Sequence, residues 1–237
     1  MKKPNVDIIL PCYNPESDWA KNVVKSYQNI LENSEVWTPN LIIVNDGSTK
    51  GIKQENIDYL KNNIGKFHWI SYEQNRGKGF ALRKGVSEST AEFIVYTDID
   101  FPYTQDSLVN MINELITGQN DVLAGERSNN YYEHTPFVRK VISKFLKRIV
   151  RGFLKINVSD TQAGLKGMNK KAKTAFLDTT IDRYLFDIEF LWLAGKKYKI
   201  SPFPVKLKEN IVFSRMNYKI LLTEAVNFVK FFVKTLK

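Results

Sequence analysis

The sequence has few of the residues that build disulfide frameworks, metal centres or catalytic triads. Its 237 residues include one cysteine, Cys12, and two histidines, His68 and His134. An internal disulfide and a cysteine-based metal site are therefore excluded, and the histidines show no spacing typical of a ligand pair or a triad. We expect a chain suited to a reducing compartment, with the cytoplasm as its location.

Long apolar runs, repeats and low-complexity tracts are missing as well. No stretch approaches the roughly 18 uninterrupted apolar residues of a membrane-spanning helix, and the chain starts directly with a strand-like segment. No repeat of about 20–50 residues and no linker rich in proline, glycine or serine divides it. These absences predict one soluble domain over residues 1–237 that does not cross a membrane.

Acidic residues are outnumbered by basic ones. The chain has 35 lysines and arginines against 25 aspartates and glutamates, which gives a formal net charge of +10. Such a balance predicts attraction to an anionic partner, which could be a nucleic acid, a nucleotide phosphate or an acidic membrane surface.

In the first half, short β-branched runs alternate with segments of helical period. Strands are expected at 6–10, 41–44, 68–72, 93–97 and 121–124, and helices at 19–31, 55–63, 80–89 and 105–116. This rhythm predicts an α/β fold with a mostly parallel central sheet flanked by helices. The later part breaks the alternation with a basic helical stretch at 136–155, a segment at 160–168, a helix at 187–194, a strand at 200–206 and a final helix.

Polar residues follow each expected strand, where parallel sheets bind their ligands. Asp98 and Asp100 come after the fourth strand. In an extended strand, residues two apart face the same side, so both carboxylates could bind one divalent cation, with a nucleotide diphosphate completing the coordination shell. The alternative is a solvated acidic turn.

Two further strand ends offer groups for a nucleotide. Asp46 and Gly47 stand in the sequence D-G-S, where a carboxylate can accept hydrogen bonds from a base or ribose; an ordinary turn is the alternative. The sequence N-R-G-K-G at 75–79 precedes a helix and suits contact with phosphate through backbone N–H groups and charge. Its spacing is not that of a dinucleotide fingerprint or a Walker loop, and a plain connection remains the alternative.

The order of these motifs resembles that of the family-2 glycosyltransferases, which have the GT-A fold. The motifs are L-P-C-Y-N at 10–14, V-N-D-G-S at 44–48, N-R-G-K-G at 75–79, D-I-D at 98–100 and G-E-R-S at 125–128. The resemblance implies a nucleotide-sugar half at about 1–128, an acceptor half at about 129–237, and a Mg or Mn ion at Asp98 and Asp100. It implies donor contacts from Pro11, Tyr13, Asn14, Asp46, Gly47, Arg76, Lys78, Gly79 and Asp98.

Two later motifs are similar to those of the dolichyl-phosphate and polyprenyl-phosphate glycosyltransferases. D-T-Q-A-G-L-K at 160–166 resembles their D-T-Q-x-G-F-K, and F-D-I-E at 186–189 resembles their F-D-x-E. The resemblance implies transfer of a hexose from a UDP- or GDP-linked donor to a lipid phosphate. It implies acceptor or phosphate contacts from Arg127, Arg139, Gln162 and Arg215, and catalytic roles for Asp187 and Arg127.

The chain departs from the family pattern at two positions. Asn45 stands where D-D-G-S has its first aspartate, and Pro102 stands where mannosyl relatives have a metal-associated glutamine. The second departure favours glucose over mannose.

Residues 136–157 include no acidic residue, yet seven lysines and arginines lie among apolar residues at helical spacing. This pattern predicts a basic amphipathic helix at an anionic membrane surface, and the C-terminal tail repeats it. Packing against the protein's own core or between two copies of the chain is the alternative for each helix. Nucleic acid is disfavoured, because the aromatic residues share an apolar helical face.

The acceptor decides whether the reaction needs a base. A lipid phosphate, with a second pKa near about 6, is already ionised and needs none, whereas a sugar hydroxyl must lose a proton, for which Asp187 is the candidate. Asp187 could instead cap a helix. A polysaccharide-building transferase and a non-catalytic nucleotide-binding module are the alternative functions; Asp98 and Asp100 with Arg127 argue against the module.

Overall fold

The computed structural model of the protein describes residues 3–127, 158 and 160–209. The predicted basic helix at 136–155, the final helix and the candidate acceptor residues Arg139 and Arg215 lie outside this range.

The described residues form seven strands and six helices. The strands are β1 (Asn5–Cys12), β2 (Thr38–Asp46), β3 (Phe67–Tyr72), β4 (Phe93–Tyr96), β5 (Val122–Arg127), β6 (Lys166–Asn169) and β7 (Ile200–Val205). The helices are α1 (Trp19–Glu32), α2 (Gln54–Asn63), α3 (Lys78–Glu88), α4 (Gln105–Thr117), α5 (Lys173–Leu177) and α6 (Phe186–Gly195). In this part of the chain no helix is both long and apolar enough to cross a bilayer.

All seven strands belong to one sheet with the order β3-β2-β1-β4-β6-β5-β7. β6 is antiparallel to both of its neighbours, and every other pairing is parallel. The predicted α/β fold with a mostly parallel sheet is therefore confirmed. Because β6 is reversed, its first residues lie at the edge where the parallel strands end.

Side chains alternate along the strands and build a core on each face of the sheet. On one face, Ile8 and Leu10 of β1 join residues of α1, α2 and α4. On the other face, Ile9 joins residues of α3, α5 and α6. The sheet is packed between two layers of helices, so the loops that follow the strands are anchored at rigid strand ends.

Candidate active site

Asn14 joins the loop after β1 to the loop after β2. Its backbone N–H donates to Ser48 Oγ at 2.9 Å, and its Oδ1 accepts the N–H groups of Thr49 and Lys50 at 2.9 and 3.2 Å. Its φ of 46° turns the chain sharply, and the neighbouring Tyr13 is 51% exposed. The candidate residues for binding the sugar donor, Tyr13 and Asn14 after β1 and Asp46 and Gly47 at the end of β2, therefore lie close together. Pro11 lies near the end of β1.

Both carboxylate oxygens of Asp46 accept hydrogen bonds, three of the four from the loop at 75–77. Oδ1 accepts from Tyr72 Oη and the Arg76 N–H, both at 2.8 Å. Oδ2 accepts from Asn75 Nδ2 at 2.8 Å and the Gly77 N–H at 2.9 Å. These bonds occupy all of the roughly four acceptor positions of a carboxylate. Asp46 therefore orders this loop, and its contact with a base or ribose stays a prediction.

The residues beside Asp46 explain the local sequence. Gly47 has a φ of 63°, and a Cβ there would lie 2.4 Å from the Asn75 backbone nitrogen. The Asn45 amide donates to Ser71 Oγ at 2.9 Å and accepts the Ser48 N–H at 3.1 Å. An amide supplies both a donor and an acceptor here, which gives a physical reason for the departure from D-D-G-S.

The first backbone N–H groups of α3 are bound within the protein. Gly79 and Phe80 donate to the Asp182 carbonyl at 2.7 and 3.2 Å. A Cβ on Gly77 or Gly79 would lie 2.5 Å from a carbonyl oxygen of residues 181–182. Because Arg76 and Gly77 also donate to Asp46, four N–H groups of this segment already have partners within the protein, and phosphate contact through its backbone stays a prediction. Its cationic side chains are the other groups that could contact a ligand.

Arg76 and Lys78 are those side chains, and their settings differ. The Arg76 guanidinium is exposed and lies 3.6 Å from the centre of the Phe80 ring, a stacking that holds it beside the Asp46 loop. Lys78 Nζ points to the other side and pairs with Asp98 Oδ1 at 2.5 Å. Burial lowers the Lys78 pKa, but Asp98 and Asp187 outweigh it, so the pKa is raised overall.

The loop at 179–182, against which α3 begins, is fixed by two side chains. Glu189 is fully buried, and its carboxylate accepts the N–H groups of Thr180 and Ile181 at 2.7 and 2.8 Å. Arg83 of α3 donates to the Ile181 carbonyl at 2.8 Å and pairs with Asp182. Glu189 is therefore a buried carboxylate that orders this loop, and the sequence motifs did not identify Arg83.

Asp98 and Asp100 lie in a turn rather than in an extended strand. β4 ends at Tyr96, the Phe101 N–H donates to the Asp98 carbonyl at 3.0 Å, and Phe101 has a φ of 46°. The prediction of an extended strand at this point is wrong, because the chain must turn here towards α4. Burial and the charge of Asp98 raise the pKa of Asp100.

Asp187 belongs to a buried ion pair. Its Oδ1 accepts from Tyr96 Oη at 2.7 Å and from Lys166 Nζ at 2.8 Å, and Lys166 has no exposed surface. Burial lowers the pKa of Lys166, although Asp187 opposes this shift. α6 has Leu185 as its N-cap, without a side-chain cap, so the alternative of Asp187 as a helix cap is wrong.

Arg127 forms a second ion pair beside the first. Its Nε donates to Asp160 Oδ2 at 2.6 Å and its Nη2 to Asp160 Oδ1 at 2.9 Å, a bidentate geometry that fixes the guanidinium. The Asp160 side chain is 3% exposed. Gln162 lies in the turn that follows, and the Gly164 N–H donates to Tyr103 Oη at 2.7 Å.

These pairs form one central cluster of alternating charge. A Cβ on Gly164 would lie 2.6 Å from Asp98 Oδ2, so the D-T-Q-A-G-L-K segment packs directly on the acidic turn. The pKa of Lys78 responds to Asp98 and Asp187, and that of Lys166 to Asp187 and Asp160. The members of the central cluster are Lys78, Asp98, Arg127, Asp160, Lys166 and Asp187.

The acidic turn suits a hard divalent cation whose shell the protein fills only in part. Asp98 and Asp100 supply carboxylate oxygens, which Mg and Mn accept. Within residues 3–127, 158 and 160–209, no three histidine, cysteine or acidic side chains lie close enough to hold an ion by themselves. Ligand phosphates and water would have to provide the other positions.

A reversed strand lies inside the otherwise parallel sheet, and carboxylates paired with cations lie at the edge where the parallel strands end. The family model described as "Glycosyl transferase family 2" matches residues 7–175. The chain belongs to this family, and it is an enzyme of the glycosyltransferase class.

Among known proteins, the chain is similar to dolichyl-phosphate β-glucosyltransferases. The Trichomonas vaginalis protein is 26% identical over 95% of this chain and 72% of its own length. The Drosophila melanogaster protein is 27% identical over 80% of this chain and 62% of its own length, and the human one 26% over the same shares. The chain thus spans about three fifths of the length of several curated relatives that it matches.

Solved structures support the GT-A fold. Glucosyl-3-phosphoglycerate synthase from Mycobacterium tuberculosis, in complex with Mn2+, UDP and phosphoglyceric acid, aligns with a TM-score of 0.63 and 15% identity over 92% of this chain and 73% of that one. Mannosyl-3-phosphoglycerate synthase from Rubrobacter xylanophilus aligns with a TM-score of 0.65 and 12% identity over 98% and 74%.

Proposed function

We propose that the protein transfers a hexose, with glucose favoured, from a nucleotide diphosphate-sugar to a polyprenyl or dolichyl phosphate at a membrane surface. The observation that carries the proposal is the central cluster, where carboxylates and cations meet at the ligand-binding edge of the sheet. Its D-T-Q-A-G-L-K and F-D-I-E segments hold three of the six charged members, namely Asp160, Lys166 and Asp187. Relatives named dolichyl-phosphate β-glucosyltransferase match 80–95% of the chain and support the same acceptor.

Donor binding involves the acidic turn and the cations facing it. Asp98 and Asp100 would hold Mg or Mn against the diphosphate, and the ion would stabilise the charge that grows on the leaving group. Lys78 lies against Asp98, and the exposed Arg76 adds positive charge beside the Asp46 loop. A structural neighbour that contains Mn2+ together with GDP-mannose supports this use of the fold.

A lipid phosphate fits the charge of the acceptor side. It is already ionised at neutral pH and attacks the anomeric carbon without a general base, with inversion expected. Arg127 is oriented by its bidentate pair with Asp160, so a phosphate near it meets a cation that is already in place. In this mechanism Asp187 serves the architecture of the site through its pair with Lys166.

Membrane attachment rests on the sequence of residues 136–157. Its seven cations without an acidic residue predict attraction to anionic lipid, at about 1 kcal/mol for each cation near the surface. We expect the full chain to sediment with vesicles that contain phosphatidylglycerol and to be released by salt. The double variant Lys144→Glu, Lys147→Glu should bind less, while Lys61→Glu on α2 should bind as the native protein does.

The deciding experiment offers a short-chain polyprenyl phosphate and a panel of UDP- and GDP-sugars, with Mg, Mn or EDTA. Metal-dependent lipid product with one donor would establish the reaction and identify the sugar. Asp100→Ala should abolish the product, whereas Asp58→Ala, an exposed aspartate on α2, should not. Donor binding without any lipid product would contradict the proposal.

One observation favours a second acceptor class. Within the described residues, Tyr96 and Lys166 both bond the Asp187 carboxylate through Oδ1, and Oδ2 is the oxygen that could accept a proton from a sugar hydroxyl. A poly-β-1,6-N-acetyl-D-glucosamine synthase from Staphylococcus epidermidis is 30% identical over 46% of this chain. Product with an oligosaccharide acceptor and no lipid product would support this alternative.

A further inference from the structure

The ion pair between Lys78 and Asp98 occupies the position expected for the metal. We propose that the Lys78 ammonium takes the place of the divalent cation in the ligand-free protein and moves to the donor diphosphate when the cation binds. Metal and nucleotide then bind cooperatively through Lys78. This inference rests on the proposed function, because it assigns Asp98 to the metal and the phosphates to the donor.

The ammonium occupies one Asp98 oxygen, although 39% of the Asp98 side chain is exposed. Lys78 Nζ lies 2.5 Å from Oδ1, while a Cβ on Gly164 would lie 2.6 Å from Oδ2. The same Cβ would lie 3.6 Å from Lys78 Nζ, so the pair lies beside Gly164. A cation that binds Asp98 through Oδ1 must therefore displace the ammonium.

The other carboxylates of the central cluster are already neutralised. Asp160 forms a salt bridge with Arg127, and Asp187 forms one with Lys166. In the described part of the chain, Lys78 is the ion-pair partner of Asp98. Without Lys78 or a metal, Asp98 and Asp100 would place two negative charges close together, which is unfavourable.

Lysine is suited to such an exchange and arginine is not. Its ammonium is a point charge on a flexible stem and can turn from a carboxylate to a nearby phosphate oxygen without losing a matched geometry. The bidentate pair of Arg127 with Asp160 would lose two aligned bonds in the same movement. The donor diphosphate therefore provides the new partner that makes release of Asp98 favourable.

The exchange is a thermodynamic coupling between two ligands. When metal binds without nucleotide, the Lys78 ammonium leaves Asp98 and gains no new anionic partner. When a diphosphate is also bound, its oxygens become that partner. By linkage, the factor by which nucleotide strengthens metal binding equals the factor by which metal strengthens nucleotide binding. Removing the ammonium should strengthen metal binding in the absence of nucleotide and reduce that factor.

The test measures Mn2+ affinity by electron paramagnetic resonance and by calorimetry, alone and with UDP or GDP. Lys78→Met keeps the length of the stem and removes the charge. Without nucleotide, we expect the dissociation constant for Mn2+ to be lower than that of the native protein by at least about 5-fold. The factor by which nucleotide strengthens Mn2+ binding should fall by a similar amount. Lys84→Met, which removes an exposed lysine of α3 paired with Glu88, is the matched control and should leave both values unchanged.

Lys78→Gln provides a second neutral variant in case the methionine variant does not fold, and the same tightening is expected. Unchanged or weaker Mn2+ binding by a folded neutral variant, with native coupling of Mn2+ and nucleotide, would overturn the exchange and leave the proposed function intact. Absence of any Mn2+ binding by the native protein, with or without nucleotide, would overturn both.

Discussion

The two sides of the site neutralise their carboxylates in different ways. On the side of β2 and β3, Asp46 is bound by four neutral donors from Tyr72, Asn75 and two backbone N–H groups. In the central cluster, each carboxylate is paired with one cation. Backbone dipoles cannot leave a carboxylate without unfolding the loop, whereas a side-chain cation can change partner.

This difference suggests a division of labour. Under the proposal, the β2–β3 side is a rigid frame for the donor, and the Lys78–Asp98 pair of the central cluster exchanges partners when ligand binds. Substitutions should therefore act on loop order and nucleotide affinity on one side, and on metal use, transfer and buried charge on the other.

The largest effect is expected from Asp100→Ala. Removing one of the two candidate metal ligands should lower transfer by at least about 1000-fold, since stabilisation of leaving-group charge contributes several kcal/mol. Transfer is measured with the donor and lipid acceptor that the panel identifies, and circular dichroism checks the fold. Retained activity with the native metal dependence would remove Asp100 from the site.

A large loss of stability is expected from Lys166→Met. The change leaves Asp187 buried without its cation, which costs about 3–5 kcal/mol and lowers the melting temperature by roughly 6–15 °C for a chain of this size. The double variant Lys166→Met, Asp187→Asn should recover part of the loss, because the stranded charge is gone. Additive losses in thermal unfolding would show that the two side chains are not coupled.

Asp46→Asn tests the rigid side. The amide has one oxygen in place of two, so two of the four bonds that Asp46 accepts from Tyr72 and the loop at 75–77 lose their acceptor, at about 1.5–3 kcal/mol for each bond to a charged group. We expect nucleotide affinity to fall by about 10-fold or more while Mn2+ binding without nucleotide is unchanged. A weaker metal affinity would show that the two sides are not separable.

The smallest effect is expected on the melting temperature of Asp100→Asn, measured with EDTA so that no metal is bound. The raised pKa of Asp100 means that the folded chain binds this proton more tightly than the unfolded chain does. The resulting loss of stability is absent at low pH and grows as the pH rises through the raised pKa. Although neighbouring groups partly desolvate the carboxylate, the residue as a whole is exposed, so Asp100→Asn should raise the melting temperature at pH 7 by only about 1 °C, with no difference at about pH 3.

Strong periodicity allowed much of the fold to be predicted from the sequence. The expected helices at 19–31 and 105–116 end within one residue of α1 and α4. β6 was missed, because K-G-M-N has neither alternation nor β-branched residues. Gly167 is needed there: a Cβ would lie 3.2 Å from Leu115 and 3.3 Å from Val95. The need for this space comes from the tertiary packing and is not visible in the local sequence.

Motifs identified Lys78, Asp98, Arg127 and Asp187 as candidate site residues, whereas Asp160 and Lys166 were only part of the D-T-Q-A-G-L-K motif. The pairing of these charges was not predicted. The partners are encoded far apart in the chain; Asp160, for example, is 33 residues from Arg127. Such pairs follow from how the strands are ordered in the sheet, which single-sequence periodicity does not specify.

The pair of Arg127 and Asp160 has one more consequence. Arg127 ends β5 and Asp160 precedes the reversed strand β6, so their salt bridge ties together two points of the described structure that are 33 residues apart in the sequence. The entropy cost of closing a loop rises slowly with its length, by about 0.6 kcal/mol for each doubling. We expect insertions and deletions between these two points to cost little, so the sequence there can vary in length while β5 and β6 stay paired.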